Sequence, residues 1–364
     1  MAGVAAAVLI SGGVGVLAWL AGSEPEPVRA GTDIERPAPI ELATGGPDDP
    51  FGDGPADDVS LPGVTDTEIA LTGAEPEPST PDPTPTNTAN LAPRAPLPGL
   101  SEPGPGALPL PIISADGVRP DEAYAAPFDG IRSAPTIAVI VGGLGLSERL
   151  TQRAIETLPA EVTLSFAPYA DNLQDWIDLA RADGHEVLIE LPMEPFDYPN
   201  NDPGPHTLLS EASDQENERR LIWLLSRAAG YAGVTNYLGA RLGADREALS
   251  GVFAKLENRG LSIFHDGAGR RSVISAAGQS VDAQLAIADR VIDSDPVPDT
   301  IDRRLLELEA LALQDGDALG AGFAYPATVD TVAIWADSLR ARGYQLAPAS
   351  FLMEVRRERT EPDS

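Results

Sequence analysis

The chain has 364 residues, with 56 acidic and 25 basic side chains and a formal net charge of −31 at pH 7. This charge excludes a general nucleic-acid binder, because such proteins need clustered cations to displace phosphate counterions, and it disfavours docking on anionic lipid head groups. The chain contains no Cys, which excludes disulfides, thiolate metal sites and cysteine nucleophiles. Its three His residues limit any histidine-rich metal site.

Residues 1–22 carry no charged side chain and are mostly apolar or small. Roughly 20 such residues are enough to cross a bilayer as a helix. A signal peptide normally begins with positive charge and ends at a small-x-small cleavage site, whereas no Lys or Arg precedes this apolar run. The segment therefore predicts an uncleaved transmembrane anchor, and a cleaved signal peptide is the alternative.

Residues 23–130 are rich in Pro and in acidic residues and contain few aromatic residues. Proline removes a backbone donor and fixes φ, so a run such as Glu-Pro-Glu-Pro at 75–78 does not form a helix. Low hydrophobicity combined with like charge does not offset the entropy lost on ordering. We therefore predict a disordered stalk over residues 23–130.

Apolar periodicity is regular only in the rest of the chain, where residues 131–355 predict one α/β domain and residues 356–364 a frayed charged tail. The first predicted strands are Thr136–Val141, Val162–Phe166, Glu186–Leu191, Gly233–Asn236 and Leu261–Phe264. The first predicted helices are Ser147–Thr157, Leu173–Ala182, Asn217–Ala229 and Arg246–Arg259. The alternation continues through Val281–Ala288, Arg290–Ile292, Thr300–Leu313, Ala318–Phe323, Thr328–Arg342 and Gln345–Ala347. A (β/α) barrel and an open doubly wound sheet fit this pattern equally well.

Active sites lie at the carboxyl ends of the strands in both architectures. After the first strand, the glycines at 142, 143 and 145 do not complete a dinucleotide fingerprint, because Glu148 stands at the third glycine position. After the third strand, Glu190 shares a face with Leu188 and is a candidate general base or oxygen ligand.

Polar residues follow the later strands as well. Asn236, Tyr237 and Arg241 carry hydrogen-bonding groups that suit sugar hydroxyls, and Tyr169 is a further candidate for such a site. Asp266, at the end of the next strand, is a better candidate than its neighbour His265 if Phe264 points inward, because adjacent strand residues face opposite ways. The remaining candidate catalytic carboxylate is Asp293.

The other two histidines predict no chemistry. His185 begins a strand, away from the edge where active sites lie, and is expected to be structural, whereas His206 lies in a Pro/Gly loop and is expected to be exposed. The sequence contains no G-x-S-x-G elbow and no pair of closely spaced histidines.

Several motifs resemble the divergent polysaccharide deacetylases, relatives of the carbohydrate esterase four (NodB-like) deacetylases. They are IAVIVGGLGL, LPAEVTLSFAPYA, GHEVLIELPMEP, AGVTNYLGAR, LSIFHDG and GFAYPAT, which lie between about residues 136 and 352. The resemblance implies an irregular (β/α) barrel. It also implies a divalent metal such as zinc, held by an Asp after the first strand and by two histidines, whose bound water attacks an N-acetyl carbonyl.

Most of the implied ligand positions are substituted in this chain. Gly142 and Gly143 stand at the Asp-Asp positions, Glu190 and Tyr237 stand where the two metal-binding histidines are expected, and Phe323 fills the position of a late histidine. Since a catalytic zinc needs about three protein ligands, we predict that the protein holds no metal. The alternative is an oxygen site for Mg²⁺ or Ca²⁺ built from Glu190, Asp266 and Asp293.

The sequence thus predicts a deacetylase-like envelope protein, linked to carbohydrate metabolism, that binds a glycan or a partner without metal-dependent deacetylation. Two alternatives stay open: an active carbohydrate N-deacetylase with substituted oxygen ligands, and a protein-interaction module that binds an envelope protein. The expected location is the inner membrane, as a single-pass protein with its globular domain in the periplasm and no nucleic-acid partner.

Overall fold

The run Thr-Ile-Ala-Val-Ile-Val at 136–141 forms the central strand of the protein. The computed structural model describes residues 94–267 and 269–360, and in it the strand is buried on both faces. Ile137, Val139 and Val141 pack against the surrounding helices, whereas Ala138 and Ile140 face the opposite way. Such two-sided burial explains the continuous apolar run, because neither face of the strand meets water.

The strands form one curled parallel sheet, a half-barrel, and a separate two-stranded hairpin. The hairpin pairs β1 (Ser101–Pro103) with β2 (Pro109–Pro111). The sheet runs in the order β8-β7-β6-β5-β4-β3-β10-β9, and β11 pairs with the start of β3. Its strands are β3 (Thr136–Leu144), β4 (Thr163–Phe166), β5 (Val187–Met193), β6 (Gly233–Leu238), β7 (Ser262–His265), β8 (Leu285–Ile287), β9 (Arg290–Val291), β10 (Asp317–Phe323) and β11 (Gln345–Leu346).

Helices between successive strands cover the convex face of the sheet. They are α2 (Glu148–Thr157), α3 (Leu173–Ala182), α4 (Asp214–Leu225), α5 (Arg246–Glu257), α6 (Arg271–Gln279), α7 (Pro298–Asp315) and α8 (Pro326–Leu339). A short helix, α1 (Pro120–Ala123), precedes the sheet, and α9 (Ala349–Thr360) follows it. From β3 to β8 the strand order follows the chain order, which is the arrangement of a curled α/β barrel and not of a doubly wound sheet with a switch point.

One extended segment contacts both ends of the sheet. β8 pairs with β7, and β9, which begins three residues after β8 ends, pairs with β10. Between them, the N–H of Ala288 donates to the carbonyl of His265, and the N–H of Asp289 donates to the carbonyl of Leu319. This segment therefore joins the two ends of the curled sheet.

The concave face of the sheet is filled from the amino ends of the strands by α9. Leu352 and Met353 of this helix pack against Ile140, Phe264 and other inward-facing strand residues. The side chains of Thr163 and Glu186 accept hydrogen bonds from the backbone N–H groups of residues 349 and 350, at the start of the helix. The interior is therefore closed at this end.

Residues 94–130 correct the prediction of a stalk that extends to residue 130. They form the β1–β2 hairpin and α1, and they pack on the sheet and on α5. Arg119 makes ion pairs with Asp121 and with Glu257, 2.9 Å and 2.5 Å apart, and the hydroxyl of Ser262 donates to Asp121. A few apolar side chains and these ion pairs order a segment whose composition resembles that of the residues before it.

The charged segment at the end of the chain also differs from the prediction. α9 continues to Thr360, beyond the predicted boundary at residue 356. Arg356 makes ion pairs of 2.6 Å with both Asp289 and Asp317, and Arg359 pairs with Asp317 as well. These ion pairs fix the helix to β10 and to the segment between β8 and β9, so this part of the tail is ordered.

The predicted membrane helix of residues 1–22 and the stalk before residue 94 lie outside the described residues. Within residues 94–267 and 269–360, none of the helices has the length and apolar character that crossing a bilayer requires.

We expect Leu352→Ala to lower the free energy of unfolding by about 2–5 kcal/mol, because it leaves a cavity in the interior cluster. Leu352 is fully buried, whereas Leu313 on α7 is 70% exposed. Leu313→Ala removes the same atoms and should change stability by no more than about 0.5 kcal/mol. Urea denaturation of the full-length chain, followed by tryptophan fluorescence, measures both effects. Equal losses in the two variants would show that α9 is not part of the core.

Candidate functional site

Strand alternation brings Glu190 to the inside of the curled sheet. Leu188 packs in the interior cluster, and Glu190, two residues further along β5, opens into a cleft at the carboxyl ends of the strands. The prediction that these two residues share a face is confirmed. Glu190 is 4% exposed, so its carboxylate has left bulk water and depends on neighbouring groups for its hydrogen bonds.

One oxygen of this carboxylate is held by the end of β3 and by β4. Oε1 accepts from the backbone N–H of Gly143 at 2.5 Å and from the hydroxyl of Ser165 at 3.1 Å. A Cβ placed on Gly142 would lie 2.6 Å from Oε1 and 2.8 Å from Oγ of Ser165. Real Cβ atoms essentially never approach so closely, so the position of Glu190 requires glycine at residue 142.

The cleft around Glu190 is small. Its volume is about 30 Å³, which is room for one or two water molecules. The side chains and backbone that line it come from β3 to β7 and from β9 and β10. They belong to Ile140, Gly142, Ser165, Glu190, Thr235, Asn236, Asp266, Val291, Ala321, Gly322 and Phe323.

Asp266 and Asn236 meet on the wall of this cleft. Nδ2 of Asn236 donates to Oδ1 of Asp266 at 2.7 Å, and Oδ1 of Asn236 accepts from the backbone N–H of Asp266 at 2.8 Å. Phe264 packs in the interior cluster, which is the orientation that favours Asp266 over His265. Asn236 therefore positions Asp266, in addition to lining the cleft.

Three aromatic rings stand together beside the cleft, and one of them, Phe323, lines it. The centroids of the Tyr237 and Phe323 rings are 6.0 Å apart in an edge-to-face arrangement, and those of Phe323 and Tyr325 are 6.2 Å apart. Tyr325 is 45% exposed. Burial raises the pKa of the Tyr237 hydroxyl, and the nearby Glu190 and Tyr325 raise it further. We call these three residues the aromatic row.

Asp293 does not reach the cleft. Its Oδ2 accepts from the backbone N–H of Phe323 at 2.6 Å and from the hydroxyl of Thr328 at 2.9 Å. Burial raises its pKa, against the effect of these two hydrogen bonds. These contacts make Asp293 a positioning residue for Phe323, and its predicted catalytic role stays a prediction.

Arg241 and Tyr169, two of the predicted sugar-binding residues, are engaged elsewhere. Arg241 pairs with the buried Glu194 at 3.2 Å and with Glu211. The hydroxyl of Tyr169 accepts from the backbone N–H of His206 at 3.0 Å. Neither side chain lines the cleft, and both hold the loop between β5 and α4.

The three histidines lie outside the cleft. The ring nitrogens of His185 contact the carbonyl oxygens of Val162 and Ile155 at 2.9 Å and 3.2 Å, as expected for a structural residue. His206 is half-buried, contrary to its predicted exposure, because its ring stacks on Trp223 with centroids 3.6 Å apart. His265 is buried, and its Nδ1 accepts from the backbone N–H of residue 267.

These residues do not fit a divalent metal. Two carboxylates line the cleft, whereas a catalytic zinc needs about three protein ligands and Mg²⁺ or Ca²⁺ needs more oxygens. Asp293, the third ligand of the alternative oxygen site, is bound to the loop that begins at Phe323. Within the described part of the chain, no group of three or more His, Cys, Asp or Glu residues is arranged to hold a metal ion.

Sequence reasoning missed Ser165 and the role of the glycines. The motif Val-Thr-Leu-Ser-Phe at 162–166 places Ser165 near the carboxyl end of a buried strand. A small polar residue at that position is the feature of the sequence that could have identified it as part of the cleft. Gly142 and Gly143 were identified as substituted ligand positions, but their contacts with a glutamate 47 residues away could not be inferred from sequence spacing.

Comparison with known proteins identifies one matching family model. Residues 139–353 match the model of the divergent polysaccharide deacetylases. The uncharacterized protein YibQ of Escherichia coli (strain K12) is 22% identical over 193 residues, which cover 53% of this chain and 60% of that protein. The chain therefore spans about three-fifths of the length of this curated relative.

Two solved structures resemble the fold. The uncharacterized protein ATU2773 from Agrobacterium tumefaciens C58 is 38% identical, with a TM-score of 0.65 over 67% of this chain and 98% of that chain. BA3943 from Bacillus anthracis, described as a CE4 family pseudoenzyme, is 11% identical, with a TM-score of 0.37 over 64% of this chain and 70% of that chain. The second likeness is too distant to carry an argument about this site.

We expect the protein to lose stability as the pH rises from about 4.5 to about 7, in part because of Glu190. Burial raises the pKa of this carboxyl from 4.5 to about 7, against the opposing effect of the Gly143 N–H and the Ser165 hydroxyl. The folded state therefore keeps a proton that the unfolded chain releases, which removes about 3 kcal/mol of stability over this interval. Urea denaturation at a series of pH values measures the effect.

Glu190→Gln isolates the contribution of Glu190, because other buried carboxyls titrate equally in both proteins. The stability of the wild type relative to Glu190→Gln should fall with rising pH, whereas the exposed control Glu148→Gln on α2 should show no such trend. A pH-independent difference between the wild type and Glu190→Gln would refute the raised pKa.

Proposed function

The chain belongs to the divergent polysaccharide deacetylase family, as its motifs indicated, and from this membership we propose that it is a non-hydrolytic member that binds a glycan at the carboxyl ends of its strands. The fold and the place of the cleft are those expected of a deacetylase-like protein. The proposed departure is in the chemistry, since the donor groups around the cleft do not fit a metal ion.

The observation that carries the proposal is the position of the Glu190 carboxylate over Gly142. The family resemblance implies a metal-binding Asp at the end of β3, where Gly142 and Gly143 stand. A Cβ at residue 142 would lie 2.6 Å from Oε1 of Glu190, so this glutamate fills the space that such an Asp would need. Substitution of a ligand by glycine and occupation of its space by another side chain act together against metal binding.

Binding of a glycan is supported by the aromatic row. Sugar rings present apolar C–H faces that pack on exposed aromatic side chains, and Tyr hydroxyls add hydrogen bonds. Tyr325 is 45% exposed, and Tyr237 and Phe323 are partly exposed beside it. The cleft of about 30 Å³ does not admit a whole sugar residue, so the sugar would lie across the rings at its mouth.

A protein partner is the second candidate, favoured by exposed apolar side chains in loops that follow strands. Leu146 after β3 and Val297 after β9 are 67% and 48% exposed, and Phe196 after β5 is 68% exposed. Aliphatic groups are common in protein interfaces and offer little to a sugar. A photocrosslinker at residue 146 that captures one envelope protein, in a chain that binds no glycan, would favour this candidate.

We also propose that the protein acts in the cell envelope, anchored by residues 1–22 with the α/β domain in the periplasm. The charge-free apolar segment in the sequence supports this placement. An alkaline phosphatase fusion after residue 360 should be active in intact cells, and a β-galactosidase fusion at the same point inactive. The reverse pattern would place the domain in the cytoplasm.

We expect the full-length chain to bind an N-acetylglucosamine tetrasaccharide, with a loss of affinity of about three- to tenfold in Tyr325→Ala. The matched control is Tyr344→Ala, which removes a partly exposed tyrosine at the opposite end of the sheet and should leave the affinity unchanged. Isothermal titration calorimetry measures the three affinities. Equal losses in both variants, or no binding by the wild type, would overturn glycan binding at the aromatic row.

The same preparation tests the alternative of an active deacetylase. We expect no release of acetate from the tetrasaccharide, with or without added Zn²⁺, because only two carboxylates line the cleft. Acetate release that is lost in Glu190→Ala or Asp266→Ala would establish an altered hydrolytic site. In that case Asp293→Ala serves as a comparison, because Asp293 does not line the cleft but bonds to the backbone of Phe323. Loss of acetate release in this variant as well would indicate an effect of the position of Phe323 and not of the reacting groups.

A further inference from the structure

Glu190 presents an unpartnered oxygen to the cleft. Its Oε1 receives the hydrogen bonds of the Gly143 N–H and the Ser165 hydroxyl, and no group in the described part of the chain donates to Oε2. The residue is 4% exposed and lines the cleft. Oε2 is not among the fully buried side-chain atoms that lack a partner, so it is reached from the cleft that Glu190 lines. A donor group of a ligand that enters the cleft can therefore bond to it.

The electrostatics of the cleft favour a positively charged donor. Asp266 supplies a second carboxylate on the same wall, and none of the residues that line the cleft is Lys, Arg or His. An ionised carboxylate in a site shielded from water is stabilised by a cation in hydrogen-bond contact, because charge-assisted hydrogen bonds are the strong ones. The chain as a whole, with a net charge of −31, also attracts cations.

The volume of the cleft and the aromatic side chains beside it restrict the kind of cation that can bind there. A volume of about 30 Å³ holds a group of the size of one or two waters, which suits an ammonium group and excludes the four heavy atoms of an acetamido group. The aromatic row lies at the entrance, where the electron-rich faces of its rings attract a cation and its attached ring system.

We propose that the cleft binds the ammonium group of an amino sugar, so that the glycan recognised at the aromatic row is one that has lost N-acetyl groups. The inference rests on the proposed glycan binding and specifies its ligand. The ammonium donates to Oε2 of Glu190 and to the carboxylate of Asp266, and the sugar ring lies against Tyr325 and Phe323. An N-acetylated sugar offers only a neutral N–H and leaves the buried carboxylate without a cation.

The test compares the glucosamine disaccharide with its di-N-acetylated form on the full-length chain at pH 7 and 150 mM NaCl, where the amino sugar carries ammonium groups. We expect the free amine to bind about tenfold more tightly, the effect of one buried charge-assisted hydrogen bond. Glu190→Gln and Asp266→Asn should each remove that preference. The backbone amide of Gly143, bonded to Glu190, gives a local readout by NMR and should shift only with the amine.

The control variant is Asp337→Asn, which removes one exposed negative charge on α8 at the opposite end of the sheet and should keep the preference. Equal affinity for both disaccharides overturns the ammonium site and leaves glycan binding intact. A shift of the Gly143 amide with methylammonium, in a chain that binds neither disaccharide, overturns amino-sugar recognition and the proposed function together. A preference that survives both Glu190→Gln and Asp266→Asn shows that general surface charge attracts the amine.

Discussion

Glu190 and a side chain at residue 142 exclude each other. An added Cβ on Gly142 would lie 2.6 Å from Oε1 of the glutamate, and the same oxygen takes the hydrogen bonds of Gly143 and Ser165. This contact explains why residue 142 is glycine, and it leaves no room at this position for a side chain that could act as a ligand. The cleft lies at the carboxyl ends of the strands, and the carboxylate of Glu190 occupies the space beside Gly142.

The surroundings of the carboxylate give it a different use. Burial favours its protonated form, and a bound cation would favour the ionised form, so binding and ionisation of Glu190 are linked. The second carboxylate, Asp266, is held in place by Asn236, and the aromatic row is held by the backbone contact of Asp293 with Phe323. Two carboxylates, Glu190 and Asp266, therefore line the cleft, and other polar residues such as Asn236 and Asp293 hold the lining residues in position.

Sequence reasoning succeeded where a simple periodicity governs the structure. The burial of β3 on both faces follows from its continuous apolar run, and the shared face of Leu188 and Glu190 follows from strand alternation. It failed where long-range contacts decide the outcome. The ordering of residues 94–130, which were predicted to belong to a disordered stalk, depends on ion pairs within the segment and with α5. The ion pairs of Arg241 with Glu194 and Glu211 are likewise not visible in the sequence, and its role in sugar binding stays a prediction.

The closing of the interior by α9 has a consequence for biogenesis. Ile140 and Phe264 are covered by α9, the last of the described helices. The strands are synthesised before this helix, so their apolar concave face stays exposed until the helix has been made. Such long-range contacts slow folding and leave apolar surface open to aggregation. The concave face of the sheet is therefore completed only when α9 packs, and a chain that ends before α9 exposes this apolar surface.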